Sequence, residues 1–296
     1  MRPYSLILLV MGSAPLAAQE FEFTRELRSG ATFDLRNIIG DVRIEAATGR
    51  RVEVTATKKE GRHGDPNDVE IEAVDTDGGV AICVYYPGQR SRRDDGDRRA
   101  ERRRENSRRQ DRDPCHRGDL NWRGDRNDTE VSFVVRLPAG LEVDIKTVTG
   151  DVFGQSIRAE GADFGSVSGN VELVDVQSSR LDANSVSGDV ELRQISSAEV
   201  SAETVSGDVT FGGEIAPRGR YDFKSLSGDV VLNLPRQPDA EVSASTFSGR
   251  FVSDLPIGRK DNRRRHRNRF NVTWGKGGAE LDLESFSGDI EVRVAK

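Results

Sequence analysis

Histidine is nearly missing from this sequence: there are three in 296 residues, His63, His116 and His266, all in polar, glycine-rich or arginine-rich surroundings that read as loops. A nucleophile or metal centre needs several groups held in fixed geometry on rigid elements, and none of the three has such a partner nearby in the chain. His116 stands beside Cys115, but a zinc site would want two more ligands. No cofactor and no enzymatic activity are therefore expected. Aromatic residues are also few, at 6%. None interleaves the arginine runs, which, with the export read below, argues against nucleic acid as a partner. Long apolar runs are absent too. The longest near the start, Leu6 to Met11, is too short to span a bilayer, and no later stretch is apolar enough for a membrane span. With Arg2 before it and small residues ending at Ala17 and Ala18 after it, that run reads as a signal peptide over residues 1–18. No cysteine follows the cleavage site, so no N-terminal lipid anchor is expected. The chain is read as exported, to the periplasm, the cell surface or the medium.

What the sequence has in abundance is repetition. LDANSVSGDVELRQI, from Leu181 to Ile195, is one copy of a sentence written again along the chain. Anchored on glycine, copies fall at Gly150, Gly169, Gly188, Gly207, Gly228, Gly249 and Gly288, at intervals of 19, 19, 19, 21, 21 and 39 residues. The last interval is about two periods and reads as one decayed copy. An eighth copy lies upstream at Gly40, in FDLRNIIGDVRIE. A fixed period of this length is the signature of stacked repeats, so the expected fold is all-β: a single-domain parallel β-solenoid, like a β-helix, with about 19–21 residues per rung.

Within a copy, an apolar or small residue stands seven before the glycine (Phe33, Val143, Ala162, Leu181, Val200, Tyr221, Val242, Leu281) and another follows two later, with Asp or Ser between. That is the alternation of a strand with one buried face. Two before the glycine, however, stand Val148, Val167, Val186, Val205, Leu226, Phe247 and Phe286, out of phase with the earlier set. The expectation is a bend or bulge there that exchanges the faces. The glycine then marks a corner, either because the backbone needs positive φ or because it points where no side chain fits. The Asp after it, replaced by Asn170 and Arg250 in two copies, suits a turn by bonding nearby amides. Strands about 4.8 Å apart would make the body from Gly150 to Gly288 a rod of roughly 30–35 Å.

The chain divides into the signal peptide (1–18), an N-terminal β region with the first repeat and hairpins (19–88), an Arg/Asp-rich insertion (89–127) and the repeats (128–296), with 19–296 read as one continuous domain. The insertion is too polar to bury a core. A second basic cluster runs from Arg259 to Arg269. Because net charge is −6 despite both clusters, the repeat body is acidic. Arginine forks pair with phosphate and carboxylate, which makes Arg102, Arg103, Arg104, Arg263, Arg264 and Arg265 candidate anion-binding residues for an anionic envelope polymer or lipid headgroups. A solvated, partly self-neutralised linker is the plainer reading. Two readings also stay open for Cys83 and Cys115: a disulfide tying the insertion to the strand before it, or two free thiols. Gly-Asp corners raise the thought of calcium, but one Asp per 19 residues is too sparse for a nonapeptide β-roll.

The series TVTGDVFG, SVSGNVEL, SVSGDVEL, TVSGDVTF, SLSGDVVL and SFSGDIEV, with LPAGLEVDIKT and GGAELDLESFSGDIEVR around it, resembles the bacterial DUF4097 family. The resemblance runs from about Phe21 to Val294 outside the insertions. It implies a β-solenoid or β-helix-like fold, an exported or envelope location, and an adhesin label that is itself an inference; it brings no catalytic residues. The expected function is a non-enzymatic, adhesin-like or envelope-associated binding and scaffold protein. The alternatives are a β-helical carbohydrate-active enzyme, or a structural part of an envelope-stress system whose partner is another envelope protein.

Overall fold

The computed structural model describes residues 20–86, 115, 127–256 and 268–295. The signal-peptide reading of residues 1–18 lies outside them. The described chain is all-β: one large, mostly parallel sheet system of 21 strands, with a single three-residue helical turn at Pro66–Asp68. Only four pairings among the described strands are antiparallel, and all four lie at the two ends of the stack.

The sequence period is the pairing register. Ala162 lies beside Leu181 and Leu181 beside Val200 in one ladder; Val171 lies beside Val190 and Val190 beside Val209 in the other. Each rung is thus a longer strand before the glycine, such as Gln177–Ser187, and a strand after it that begins at a residue such as Val190. Side chains from both ladders, Leu181 and Ala183 from one, Val190 and Leu192 from the other, meet in one continuous core.

The corner glycines recur because stacked backbones approach too closely for a side chain. A Cβ at Gly188 would stand 2.2 Å from the carbonyl oxygen of Gly169, and one at Gly169 would stand 2.0 Å from that of Gly150. Neither residue has positive φ, so lack of space, not backbone conformation, selects glycine there.

The expected bulge before the glycine is not present. The strand runs regularly to Ser187, and the inward position after Leu181 and Ala183 is taken by Ser185, which is 4% exposed. A polar residue can face the core because its hydroxyl donates to the glycine carbonyl of the neighbouring rung. Thr147, Ser166, Ser185, Thr204, Ser225, Ser285 and Thr246 do so at 2.8–3.2 Å. Val186 and its equivalents therefore point outward.

A second corner closes the Gly150, Gly169 and Gly188 rungs at residues with no sequence signature. Ser156, Asp175 and Gln194 adopt left-handed φ of 57°, 55° and 55°, and each is followed by a buried Ile157, Val176 or Ile195. The 21-residue interval from Gly207 to Gly228 arises from an enlarged second corner. There the Tyr221 hydroxyl accepts from the Ala216 amide at 2.7 Å and donates to the Ser197 carbonyl at 2.8 Å.

Among the described residues the 39-residue interval holds no decayed rung. In space the Gly288 rung lies between those of Gly228 and Gly249: Leu281 pairs with both Tyr221 and Val242, and Ile290 with both Val230 and Phe251. The chain forms the outer rung first. It then runs back as Asn268–Trp274, antiparallel to Ala240–Thr246, and slips Ala279–Ser285 into the gap. The antiparallel strand covers the open edge, and its last residue, Trp274, is buried, with its Nε1 donating to the Pro256 carbonyl at 3.0 Å.

At the other end the Gly40 rung sits directly on the Gly150 rung, Phe33 beside Val143 and Val42 beside Val152. Beyond it lies a rung assembled from Gly79–Tyr85 and Glu130–Leu137. Val131 takes the corner position there: a Cβ on Gly40 would lie 2.3 Å from its carbonyl oxygen. The Asn37 amide donates to that oxygen at 2.9 Å, as serine does in later rungs. In the chain the Arg/Asp-rich segment stands between the two strands of this rung and lies, apart from Cys115 and Asn127, outside the described residues. Glu70–Thr76, Arg51–Lys59 and Glu20–Glu26 pair antiparallel around this rung, as expected of hairpins that cap the repeats.

Candidate functional site

The outward residue two before each glycine builds the most distinctive surface of the molecule. In spatial order Val148, Val167, Val186, Val205, Leu226, Phe286 and Phe247 form one line, each 42–50% exposed. At one residue per rung the line is roughly 29 Å long, six intervals of about 4.8 Å. Phe286 and Phe247 end it with their rings stacked at 4.8 Å and parallel to within 2°. Scattered exposed valines are ordinary, whereas a contiguous apolar row on a rigid stack is a surface for contact.

On one side of the row lie the corner residues Asp41, Asp151, Asn170, Asp189, Asp208, Asp229, Asp289 and Arg250. They bond between rungs rather than within their own turn. The Oδ1 of each Asx accepts the amide of the corner residue in the next rung, at 2.7–2.8 Å throughout. Asn170 serves as well as Asp because only this oxygen is used. The second oxygen of Asp151, Asp189, Asp208 and Asp229 has no partner among the described residues. Asp289 differs, because the Arg250 Nη2 donates to its Oδ2 at 2.7 Å. That bond and the Arg250 amide hold the Asp289 carboxyl below its usual pKa.

On the other side a shallow groove runs along the outer face of the longer strands, walled by Val186, Val205, Leu226 and Phe286. Its charged residues are mainly carboxylates: Asp163, Asp182, Glu203 and Glu284. Its two cations are already paired, Arg180 with Asp182 at 2.6 Å and Lys224 with Asp222 at 2.5 Å and Glu203 at 3.4 Å. Just beyond the groove, Asp222 and Asp282 lie directly opposite each other, each with a buried Oδ1 that lacks a hydrogen bond. Burial, with Glu284 and Asp222 nearby, pushes the Asp282 carboxyl above its usual pKa.

The corner glycines are spread through all eight rungs named from the sequence and are architectural in this geometry. Arg102, Arg103, Arg104, Arg263, Arg264 and Arg265 lie outside the described residues. Cys83 and Cys115 are bonded in the structure, Cys83 being fully buried in a small cluster with Ala81 and Tyr85 on the outer face of the first rung. His63 sits in an exposed turn, its amide donating to the Asp128 Oδ1 at 2.7 Å. Among the described residues no group of three or more potential metal ligands converges. Sequence reasoning missed the apolar row. Its signal was the out-of-phase residue two before each glycine, which marked an outward position and not a bend.

The family model described as Toastrack DUF4097 matches residues 119–293. The chain belongs to the DUF4097 family. The resemblance to solved structures is loose. A putative cell adhesion protein from Clostridium sporogenes is 14% identical, with 94% of this chain and 100% of that one covered and a TM-score of 0.38. A putative adhesin from Bacteroides fragilis is 9% identical, covering 94% and 98%, with a TM-score of 0.40. A putative adhesin from Parabacteroides distasonis is 12% identical, covering 93% and 97%, with a TM-score of 0.34. No curated protein matches the sequence. Among the described residues no helix is long and apolar enough to cross a membrane.

Proposed function

We propose that this DUF4097 protein is an exported, non-enzymatic binding and scaffold module of the cell envelope, a β-solenoid that presents its glycine-corner edge as an adhesin-like contact surface. Residues 1–18 are removed in this reading, and 19–296 act as one unit. The observation that carries it is the apolar row from Val148 to Phe247, held straight by the rung register and flanked by polar rows. A rigid surface of this kind favours contact along an extended partner over the enclosed pocket that catalysis on a small substrate requires. The arginine-rich segments supply a second, electrostatic contact, to an anionic envelope polymer or lipid headgroups.

Co-sedimentation of the chain from residue 19 with purified envelope fractions, across a salt series, tests this reading. A variant lacking Arg90 to Arg112 is expected to lose the salt-sensitive part of binding. A Val167→Ser, Val186→Ser, Val205→Ser variant is expected to lose the salt-resistant part. Absence of sedimentation at every salt concentration sinks the envelope reading, and a serine variant that binds like the parent removes the apolar row from it.

A further inference from the structure

We infer that the apolar row is a docking rail for an extended, basic polypeptide segment carrying both apolar and Arg or Lys side chains. The inference rests on the reading above, that this edge is the contact surface, and names the chemistry of what lies on it. Three observations on the edge converge.

First, the row is apolar along its whole length but bordered by carboxylates on both sides. The corner aspartates Asp151, Asp189, Asp208 and Asp229 keep one oxygen unpartnered among the described residues. Across the row, Asp163, Asp182, Glu203 and Glu284 line the groove. Asp163, Asp182 and Glu203 are paired with Lys146, Arg180 and Lys224, so the unneutralised charge facing an occupant lies mainly on the corner side, with Glu284 across the row. Polyanions and anionic lipid surfaces are repelled by this edge, and cationic side chains are drawn to it.

Second, the corner row already holds one guanidinium. Arg250, on the outermost rung beside the exposed Phe247, places its Nη2 2.7 Å from the Asp289 Oδ2 while Oδ1 keeps its inter-rung bond. The same oxygen is presented by Asp189, Asp208 and Asp229 at successive rungs, so an incoming arginine finds the Arg250 arrangement repeated about every 4.8 Å.

Third, the dimensions suit a peptide. An extended chain rises about 3.3 Å per residue, so the row of roughly 29 Å accommodates eight or nine residues, with alternate side chains on the rail and the others reaching the carboxylates. A second copy pressed row to row in antiparallel register would instead bring like-charged borders together, which makes self-pairing the less favourable occupant.

The test measures fluorescence anisotropy of a labelled 12-residue peptide alternating Arg and Leu against the chain from residue 19, beside control peptides with Glu for Arg and Ser for Leu. The decisive variant is Asp189→Asn, Asp208→Asn, Asp229→Asn. Asn170 shows that asparagine keeps the inter-rung bond, so this variant folds while losing three charges. Binding of the Arg-Leu peptide is expected to weaken roughly tenfold, since each exposed ion pair contributes a factor of a few, and neither control peptide should bind comparably. The Val167→Ser, Val186→Ser, Val205→Ser variant should also weaken it. Equal binding of the Glu-Leu peptide, or no effect of the asparagine variant, overturns the inference. If the serine variant abolishes envelope sedimentation while the asparagine variant leaves peptide binding intact, the edge stands as a contact surface and the basic-peptide assignment alone fails.

Discussion

Replacing Gly188 by alanine should unfold the stack at much lower denaturant than replacing Gly49, and the difference can be estimated from the geometry. At Gly188 the new methyl carbon would stand 2.2 Å from the Gly169 carbonyl oxygen, which is backbone and cannot swing aside. Ordinary carbon–oxygen contact is more than 1 Å longer, so the two rungs must part locally by about that much. Parting them strains three bonds: the Gly169 amide to the Ser187 carbonyl at 3.2 Å, the Val171 amide to the Asp189 carbonyl at 2.9 Å, and the Ser185 hydroxyl to the Gly169 carbonyl at 2.8 Å. At about 1 kcal/mol for each bond, with core packing between Ala162 and Leu181 disturbed as well, a loss of roughly 3–5 kcal/mol is expected. At Gly49 nothing lies within 4 Å of the same methyl, so that substitution should be near neutral. Urea titration followed by circular dichroism and by tryptophan fluorescence measures both variants against the parent. If Gly188→Ala unfolds within experimental error of Gly49→Ala, close stacking is not what places glycine at the corner.

Two further outcomes follow from the same rungs. Ser185→Ala should cost about 1–2 kcal/mol in the same titration, because it leaves the half-buried Gly169 carbonyl without its side-chain donor. Ser187→Ala, two residues on and exposed, should cost little. Asp282→Asn should stabilise the protein at neutral pH by a few tenths to about 1 kcal/mol, by removing a like charge opposite Asp222 and supplying an amide donor beside its buried Oδ1. Burial and neighbouring carboxylates raise the Asp282 pKa above its ordinary 3.8, so the folded state holds this proton more tightly than the unfolded chain. The penalty is full above the folded pKa, shrinks as pH falls through it, and is gone below the unfolded value. The stability gap between variant and parent should accordingly close in acid; a gap that is constant with pH would refute the electrostatic cause.

Much of this architecture was legible because the repeat writes its own register. Pairing of Ala162 with Leu181 and of Val171 with Val190 follows from a 19-residue period in which a parallel strand must lie beside its own next copy. What was not legible has three physical sources. Copies with equivalent faces can be neighbours in any order, so nothing in SFSGDIEV or TFSGRFVS says that the Gly288 rung lies inside the Gly249 rung; the returning antiparallel strand decides it. The first rung has no glycine corner, since Val131 stands there and a long insertion replaces the turn, so no motif could reveal it. The outward valines were obscured by polarity. Serine reads as a surface residue and valine as a core residue, but the carbonyl of the adjacent rung satisfies Ser185 inside, leaving Val186 for the outside.

The two departures from Gly-Asp show that the corner ladder has a direction. Every corner Asx accepts from the next rung away from the Gly40 end of the stack, beginning with Asp41 serving Asp151 and ending with Asp289 serving Arg250. A residue inside the ladder must offer an acceptor, which Asn170 does and an aliphatic residue would not. The outermost rung of the ladder has no following amide to satisfy, so its corner is released from that requirement. Arg250 uses the freedom to reach back and neutralise the last aspartate, Asp289. The same oxygen on Asp151, Asp189, Asp208 and Asp229 has no partner among the described residues, so the terminal ion pair is the precedent for the contact proposed with an arginine from another chain.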